Sequence, residues 1–313
     1  MQNLNIINIF RKEIKADIAL NIFESKNRHI QLAHFNHVRL TPQYITKNWA
    51  LNIQKDFELL LLEGKFVESM RADIQPFLYD LPTDALAFID WFENLKTDAP
   101  GQNDALFPWL ATDATMAQMR WFLQQEAAGE AGFDDLVALS QIKLPPQSKL
   151  ELARNYWDEM GRGHLPAMHG LMLEKTVEDL DLTPTIEDTV WESLALANLM
   201  LALAINRRYA YQSIGALGAV EMTAPTRVAY VNEGLQRLEV DFNTRKYFQL
   251  HASLDIKHSE AWNSEVIYSL VKDNPETAKP IAEGALMRLC SGANCYSRYK
   301  SYFGFDTDHT NVL

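Results

Sequence analysis

The sequence YFQLHASLDIKHSEAW (residues 247–262) carries His251, Asp255 and His258 at offsets of four and seven residues. In an α-helix, with about 100° per residue, these offsets place the three side chains within an arc of roughly 60°. Two imidazoles and a carboxylate on one stripe supply nitrogen and oxygen donors that suit iron or manganese better than a thiolate-rich zinc site. A solvated helix face with two chance histidines is the alternative that the spacing alone leaves open.

A second motif lies upstream, in NYWDEMGRGHLPAMH (residues 155–169). Glu159 is predicted to close one helix, the GRG segment to break it, and His169 to lie one turn into a helix that begins near Pro166. Such a break lets two ligands ten residues apart approach one ion from different directions. The alternative is an ordinary helix–loop–helix with a surface histidine, which is our interpretation of His164.

Two further glutamates lie among apolar or small residues. Glu126 follows aromatic side chains in RWFLQQEAAGE, and Glu221 follows small residues in GALGAVEM. A buried glutamate is costly unless it is paired or bound to a metal. Partial exposure near a helix end is the alternative for each of them. Glu130 lies one turn beyond Glu126 on the same face and competes with it for the same ligand position.

The charge and composition exclude several classes of function. The chain has 313 residues and a net charge of -12, which disfavours nucleic acids and anionic lipid surfaces as partners. The longest apolar stretch, residues 194–205, is interrupted by Asn198 and is too short to cross a bilayer. Residues 1–26 are too charged for a signal peptide, and Cys290 and Cys295 are too few for a disulfide framework. We therefore predict a soluble, cytoplasmic protein.

Helical periodicity dominates the chain, and no stretch alternates convincingly as a strand would, so we predict an all-α bundle. A polar segment with Pro100 and Gly101 marks a boundary between an N-terminal helical extension, residues 1–98, and a main domain, residues 99–313. Pro225 is expected to end or kink the helix that carries Glu221. The predicted helices of the main domain span residues 112–130, 134–139, 147–160, 166–177, 186–221, 225–238, 246–271 and 275–302.

Together these motifs resemble the ligand set of the heme-oxygenase-like diiron oxidases and oxygenases. The resemblance covers about residues 112–302, and its most specific features are the Glu159–His169 spacing of ten and the final H-x3-D-x2-H. It implies a heme-oxygenase-like helical bundle with two Fe(II)/Fe(III) ions and O2 as co-substrate. It also implies seven metal ligands, which are Glu126, Glu159, His169, Glu221, His251, Asp255 and His258.

The charges of this ligand set agree with the resemblance. Four carboxylates would balance two divalent irons, while three neutral imidazoles complete the coordination. A ferritin-like site takes its histidines from two Glu-x-x-His pairs, and none of the eight histidines here has a glutamate three residues before it. Haem needs few protein ligands, so a haem site would leave the four carboxylates unexplained.

The resemblance implies oxidation of a small metabolite, with an amino acid or amine as the leading expectation and N-oxygenation, desaturation or C–C cleavage as the reaction. An external electron donor is possible. The alternatives are decarboxylation or desaturation of a fatty acid, and a non-catalytic metal-binding or interaction protein. Arg120, Arg227 and Arg298 are candidates for holding a substrate carboxylate and stand outside the predicted ligand set. The apolar segment at residues 49–70 predicts a homodimer, with packing on the same chain as the alternative.

Overall fold

The computed structural model describes residues 18–44, 47–129 and 132–305. Every regular element in these ranges is a helix, and none of these helices is long and apolar enough to cross a membrane. Glu130 lies outside the described residues.

The fold is a bundle of α-helices connected by short turns. The helices in chain order are α1 Ile18–Leu40, α2 Trp49–Ile74, α3 Ala85–Asp98, α4 Leu106–Thr112, α5 Met116–Gly129, α6 Phe133–Ser140, α7 Pro146–Glu159, α8 His169–Asp179, α9 Trp191–Ile205, α10 Ala210–Arg237, α11 Lys246–Ala261, α12 Tyr268–Asp273 and α13 Ala278–Phe303. Single turns of 3-10 helix, including Gly161–Gly163 and Leu165–Ala167, lie between some of them. A π-helix, Trp262–Ile267, joins α11 to α12.

Helix α10 lies at the centre of the bundle and packs along both α11 and α13. Two glycines allow the close approach of α10 to α13. A Cβ atom at Gly215 would overlap the carbonyl oxygen of Ile281, and one at Gly284 would overlap the carbonyl oxygen of Gln212. Any larger side chain at either position would push the two helices apart.

The apolar stretch at residues 194–205 is a core helix, as predicted. It forms most of α9, whose residues are largely buried. Asn198, the polar interruption, is buried as well and connects α9 to α1. Its Oδ1 atom accepts a hydrogen bond from Asn36 Nδ2 at 2.8 Å, and its Nδ2 atom donates to the carbonyl oxygen of His29 at 3.0 Å. Its polar groups are therefore satisfied inside the core.

The helices that precede residue 98 share the core of the bundle. Val67 of α2 and Phe88 and Phe92 of α3 are buried in the same cluster as Leu199 and Ile281. An ion pair between Arg71 Nε and Glu283 Oε2, at 2.9 Å, joins α2 to α13. The division into residues 1–98 and 99–313 remains a prediction.

Some helix boundaries differ from those predicted. The predicted helix at residues 186–221 is wrong, because the chain turns at Asn206, whose Oδ1 atom accepts a hydrogen bond from the Arg208 backbone N–H at 3.0 Å. Pro225 does not end α10, which continues to Arg237. Packing on α11 and α13 outweighs the backbone hydrogen bond that a proline removes. The predicted helix at residues 246–271 is interrupted by the π-helix.

Candidate metal centre

Helix α11 turns the three residues of its H-x3-D-x2-H motif into the bundle. His251, Asp255 and His258 are all buried, as the offsets of four and seven require for one helix face. Glu221, on the neighbouring α10, is only 2% exposed and faces the same interior. These residues put two carboxylates and two imidazoles into one buried region.

The GRG segment brings the other predicted pair together. Gly161 has a φ of +59°, and a Cβ atom there would meet the backbone of Ala167 and Met168 at 2.4 to 2.6 Å. Only glycine allows the chain to fold back so tightly at this point. As a result the Nδ1 atom of His169 lies 2.7 Å from Glu159 Oε2. His169 is the first residue of α8 and does not lie one turn into it as predicted, because Leu165–Ala167 form a separate 3-10 turn.

Six of the seven predicted ligands form two groups of three. Within each group, one ligand atom from every residue lies within 4.8 Å of the others, and all six side chains are buried. The first group comprises Glu159, His169 and His251, and the second comprises Glu221, Asp255 and His258.

The contacts inside both groups suit a bound cation. His251 Nε2 lies 3.1 Å from His169 Nδ1, so two imidazole nitrogens face each other beside a carboxylate. His258 Nδ1 is buried without a hydrogen-bond partner among the described residues, 3.6 Å from Glu221 Oε2. A buried polar atom without a partner is unusual unless a metal ion or ligand completes its environment. Carboxylate oxygens and imidazole nitrogens fit iron or manganese.

The electrostatics of the second group also favour a cation. Burial and the nearby Glu221 carboxylate raise the pKa of Asp255 to about 9. Burial disfavours a charged imidazole at His258, but Glu221, Asp158 and Asp255 together outweigh this and raise the pKa of His258 to about 9. Without a cation, this group therefore holds protons at neutral pH.

The first group differs in its state of protonation. Burial and the neighbouring His169 lower the pKa of His251 to about 3, so its imidazole is neutral and free to coordinate. Burial raises the pKa of Glu159, although its hydrogen bond with His169 opposes that change. A divalent ion would stabilise the carboxylate form of Glu159.

Residues outside the two groups orient the ligands. His251 Nδ1 lies 2.7 Å from the carbonyl oxygen of Tyr247, and His258 Nε2 lies 3.2 Å from Asp158 Oδ2. Asn155 Nδ2 donates to Glu221 Oε1 at 2.5 Å. Metal-bound histidines commonly make such contacts with their second nitrogen.

Asn155 and Asp158 were not predicted from the sequence to contact the metal ligands. Asn155 lies four residues before Glu159 and Asp158 one residue before it, so both are on α7 at the predicted site. Helical spacing from Glu159 could have identified Asn155 as a neighbour on the same face. Nothing local indicates that Asp158 reaches His258, which is a hundred residues away in the sequence.

Glu126 lies in neither of the two groups. Its Oε1 atom accepts a hydrogen bond from the Tyr299 hydroxyl at 2.7 Å, and its side chain lines a separate cavity of about 140 Å³. A smaller cavity of about 60 Å³ borders Glu159, Glu221, His251 and Asp255. Both cavities are lined by Val220, Ala224, Val228 and Tyr247, so they adjoin each other.

Solved structures of two other proteins are similar to this chain. The crystal structure of a CADD-like protein of unknown function from Nostoc punctiforme superposes with a TM-score of 0.54 at 18% identity, covering 71% of this chain and 99% of that one. A domain of unknown function with a heme oxygenase-like fold from Shewanella denitrificans gives a TM-score of 0.45 at 15% identity, covering 73% and 94%. No curated protein matches the sequence.

The sequence profile of a family described as iron-containing redox enzymes matches residues 120–293, more than half of the chain. This range includes all seven predicted ligands and both three-residue groups. The predicted all-α, heme-oxygenase-like bundle is confirmed. The chain belongs to the family of iron-containing redox enzymes.

Proposed function

We propose that this protein is an O2-dependent non-heme diiron oxidase or oxygenase that acts on a small metabolite. The observation that carries this proposal is the pair of neighbouring buried groups, each with one ligand atom from three nitrogen- or oxygen-bearing residues within 4.8 Å of one another. One iron would be held by Glu159, His169 and His251. The other iron would be held by Glu221 of α10 and by Asp255 and His258 of α11. Glu126 lies apart from both, so the proposed centre has six protein ligands.

When bound, iron supplies the redox chemistry with O2, and electrons beyond those of the substrate come from an external donor. The chain itself holds and orients the ligands. Asn155 fixes the Glu221 carboxylate, Asp158 fixes the His258 ring, and the carbonyl oxygen of Tyr247 fixes the His251 ring. Val220 and Phe133 place apolar side chains in the lining of the small cavity beside the ligands.

An amino acid or amine-containing metabolite remains the favoured substrate, with N-oxygenation, desaturation or C–C cleavage as the outcome. The adjoining cavity of about 140 Å³ is small and carries the charged side chains of Glu126, Arg227 and Arg288. This polarity favours a small polar molecule over the long acyl chain of a fatty acid, which is the second candidate. The third candidate is a non-catalytic role in metal binding or protein interaction.

We also propose a homodimer formed through α2. Several large apolar side chains of this helix are exposed, among them Trp49 at 64% and Phe57 at 66%. Exposed apolar patches of this kind often mark interfaces, and two-fold dimers are the commonest assembly. We place the protein in the cytoplasm, which the two free cysteines support.

The catalytic proposal is tested by measuring O2 uptake. Protein loaded anaerobically with Fe(II) is mixed with O2, a reductant and a set of amino acids and amines, and substrate loss is followed by mass spectrometry. We expect O2 uptake coupled to the loss of one substrate class, and no coupled loss in the His251→Ala, His258→Ala double variant. Iron binding without O2 uptake under any of these conditions would favour the non-catalytic role.

A further inference from the structure

The cavity of about 140 Å³, which adjoins the small cavity at the metal ligands, has apolar walls and a charged end. Arg227 of α10, Arg288 of α13 and Glu126 of α5 reach it from three different helices. The remaining lining is mostly aliphatic and aromatic, including Phe122 and Phe248. A pocket with apolar walls and a few convergent polar groups is the usual form of a small-molecule site.

Arg227 has no carboxylate partner among the described residues. Its Nη1 atom donates to Thr223 Oγ1 at 2.8 Å, and its guanidinium lies 5.9 Å from the centre of the Tyr296 ring. Neither contact neutralises its charge. Burial lowers the pKa of Arg227, but an arginine side chain remains protonated in a protein. Arg227 is half-buried, and a half-buried cation without an ion-pair partner would stabilise an anion bound beside it.

Arg288 adds a second positive charge that Glu126 offsets only in part. Arg288 also forms no ion pair within the described ranges, and its charge acts against that of Arg227. Burial raises the pKa of Tyr299 well above its ordinary value, so its hydroxyl keeps the proton that it donates to Glu126. Two arginines and one glutamate leave one net positive charge, which the carboxylate group of a bound molecule would balance.

The charged end is positioned to hold a molecule whose other end faces the metal centre. Arg227 follows Glu221 by six residues on α10, which corresponds to about 9 Å along the helix axis. Val220 and Tyr247 line both this cavity and the one beside the metal ligands.

We propose that Arg227 and Arg288 bind the carboxylate of a small substrate, with the rest of the molecule directed along Val220 and Tyr247 toward the metal ligands. The reacting atom would then lie several bonds away from the carboxylate. That the bound molecule is a substrate rests on the proposed function, whereas the existence of the carboxylate site does not. Charge-assisted, two-pronged hydrogen bonds from a guanidinium are well suited to a carboxylate.

Titration calorimetry with a size series of probes tests this proposal. Acetate, butyrate and 3-phenylpropionate are each compared with the alcohol of the same skeleton, using metal-free protein and protein loaded anaerobically with Fe(II). We expect at least one carboxylate to bind in both forms, and its alcohol to bind much more weakly. Arg227→Met should weaken carboxylate binding by roughly 10- to 100-fold, the loss typical of a charged hydrogen bond.

Arg154→Met is the matched control, because Arg154 is exposed and pairs with Glu151 outside the cavity. It should leave carboxylate binding unchanged. Thermal unfolding gives a readout that needs no ligand. If Arg227 serves to bind an anion, Arg227→Met should unfold at a temperature equal to or above that of the wild type, since it removes a half-buried charge that has no ion-pair partner among the described residues.

Three results would overturn the carboxylate site. The first is that no carboxylate binds the wild type. The second is that Arg227→Met and Arg288→Met bind carboxylates as tightly as the wild type does. The third is that carboxylate binding requires the metal but does not require Arg227. Carboxylate binding that depends on Arg227, in a protein that consumes no O2, would uphold the site and reject the oxidase function. Coupled O2 uptake without carboxylate binding would uphold the oxidase function and reject the carboxylate site.

Discussion

The Nε2 atom of His251 lies 3.1 Å from the Nδ1 atom of His169, although the two residues are 82 positions apart in the sequence. Glu159 Oε2 lies 2.7 Å from the same His169 Nδ1 atom. Two imidazole nitrogens and a carboxylate oxygen therefore meet at one buried point, where a metal ion could take all three residues as ligands.

Asn155→Ala should weaken iron binding by roughly 10- to 100-fold, the usual effect of removing a residue that orients a metal ligand. The reason is that Asn155 Nδ2 donates to Glu221 Oε1, and the carboxylate would lose its fixed position. Competition with a chromophoric chelator measures the change. Arg154→Ala is the control, because Arg154 is a neighbour on the same helix that pairs with Glu151. Equal affinities in the two variants would refute the role of Asn155.

Metal affinity should rise with pH up to about pH 9. Asp255 and His258 each have a pKa raised to about 9 in the metal-free protein, so a metal ion must displace their protons at neutral pH. Each displaced proton makes the apparent affinity rise about tenfold per pH unit. Calorimetry in buffers of different ionisation enthalpy counts the released protons. Binding at neutral pH without proton release would contradict this expectation.

The same shifts make the metal-free protein less stable as the pH rises. Both groups have a higher pKa when folded than when unfolded, so the stability they contribute is complete below the unfolded pKa and is lost through about pH 9. We therefore expect the metal-free protein to unfold at a lower temperature at pH 9 than at pH 6. The iron-loaded protein should change less, because the metal replaces the protons. An equal loss in both forms would point to other groups.

Gly161→Ala should disrupt the first group of ligands. The positive φ of Gly161 and the close backbone of Ala167 leave no room for a Cβ atom, and we expect a loss of about 1–3 kcal/mol in stability. Because this turn sets His169 beside Glu159, iron binding should fall as well. Chemical denaturation and metal analysis measure the two effects. Gly170→Ala is the control, because a Cβ atom there meets nothing within 4 Å.

Charged substitutions on α2 should separate the proposed dimer. The double substitution Phe57→Glu, Leu61→Glu should give a monomer, since both side chains are exposed in the single chain. Burying the new carboxylates in an apolar dimer interface would be costly. Light scattering distinguishes the two states. Leu150→Glu, another exposed apolar position, is the control. Deletion of residues 1–98 is a poor test, because Phe88 and Phe92 belong to the core. A wild type that is monomeric at micromolar concentration would reject the dimer.

The sequence predicted those parts of the site that helical periodicity and local breaks determine. The offsets in the α11 motif fix one face of a helix, and the GRG segment fixes the turn between Glu159 and His169. For the same reason the all-α class followed from the sequence. Asn198 was correctly expected within a core helix, although its partners on α1 could not be inferred from local pattern.

The remainder depends on how distant helices pack. The position of α5 relative to α10 and α13 sets Glu126 beside Tyr299 and Arg227, and no local signal contains that information. Pro225 carries a strong local signal for a helix end, but the surrounding helices outweigh it. The π-helix after Ala261 likewise has no recognisable sequence pattern.

The iron content of anaerobically reconstituted protein shows whether the two groups of three residues bind metal. We expect two irons per chain in the wild type, as two groups of three ligands would hold, and a sharp reduction in the His251→Ala, His258→Ala double variant. His34→Ala, at an exposed histidine outside both groups, should retain the wild-type iron content. Full iron binding by the double variant would contradict iron binding by these two groups, because each group would have lost a ligand without losing its metal.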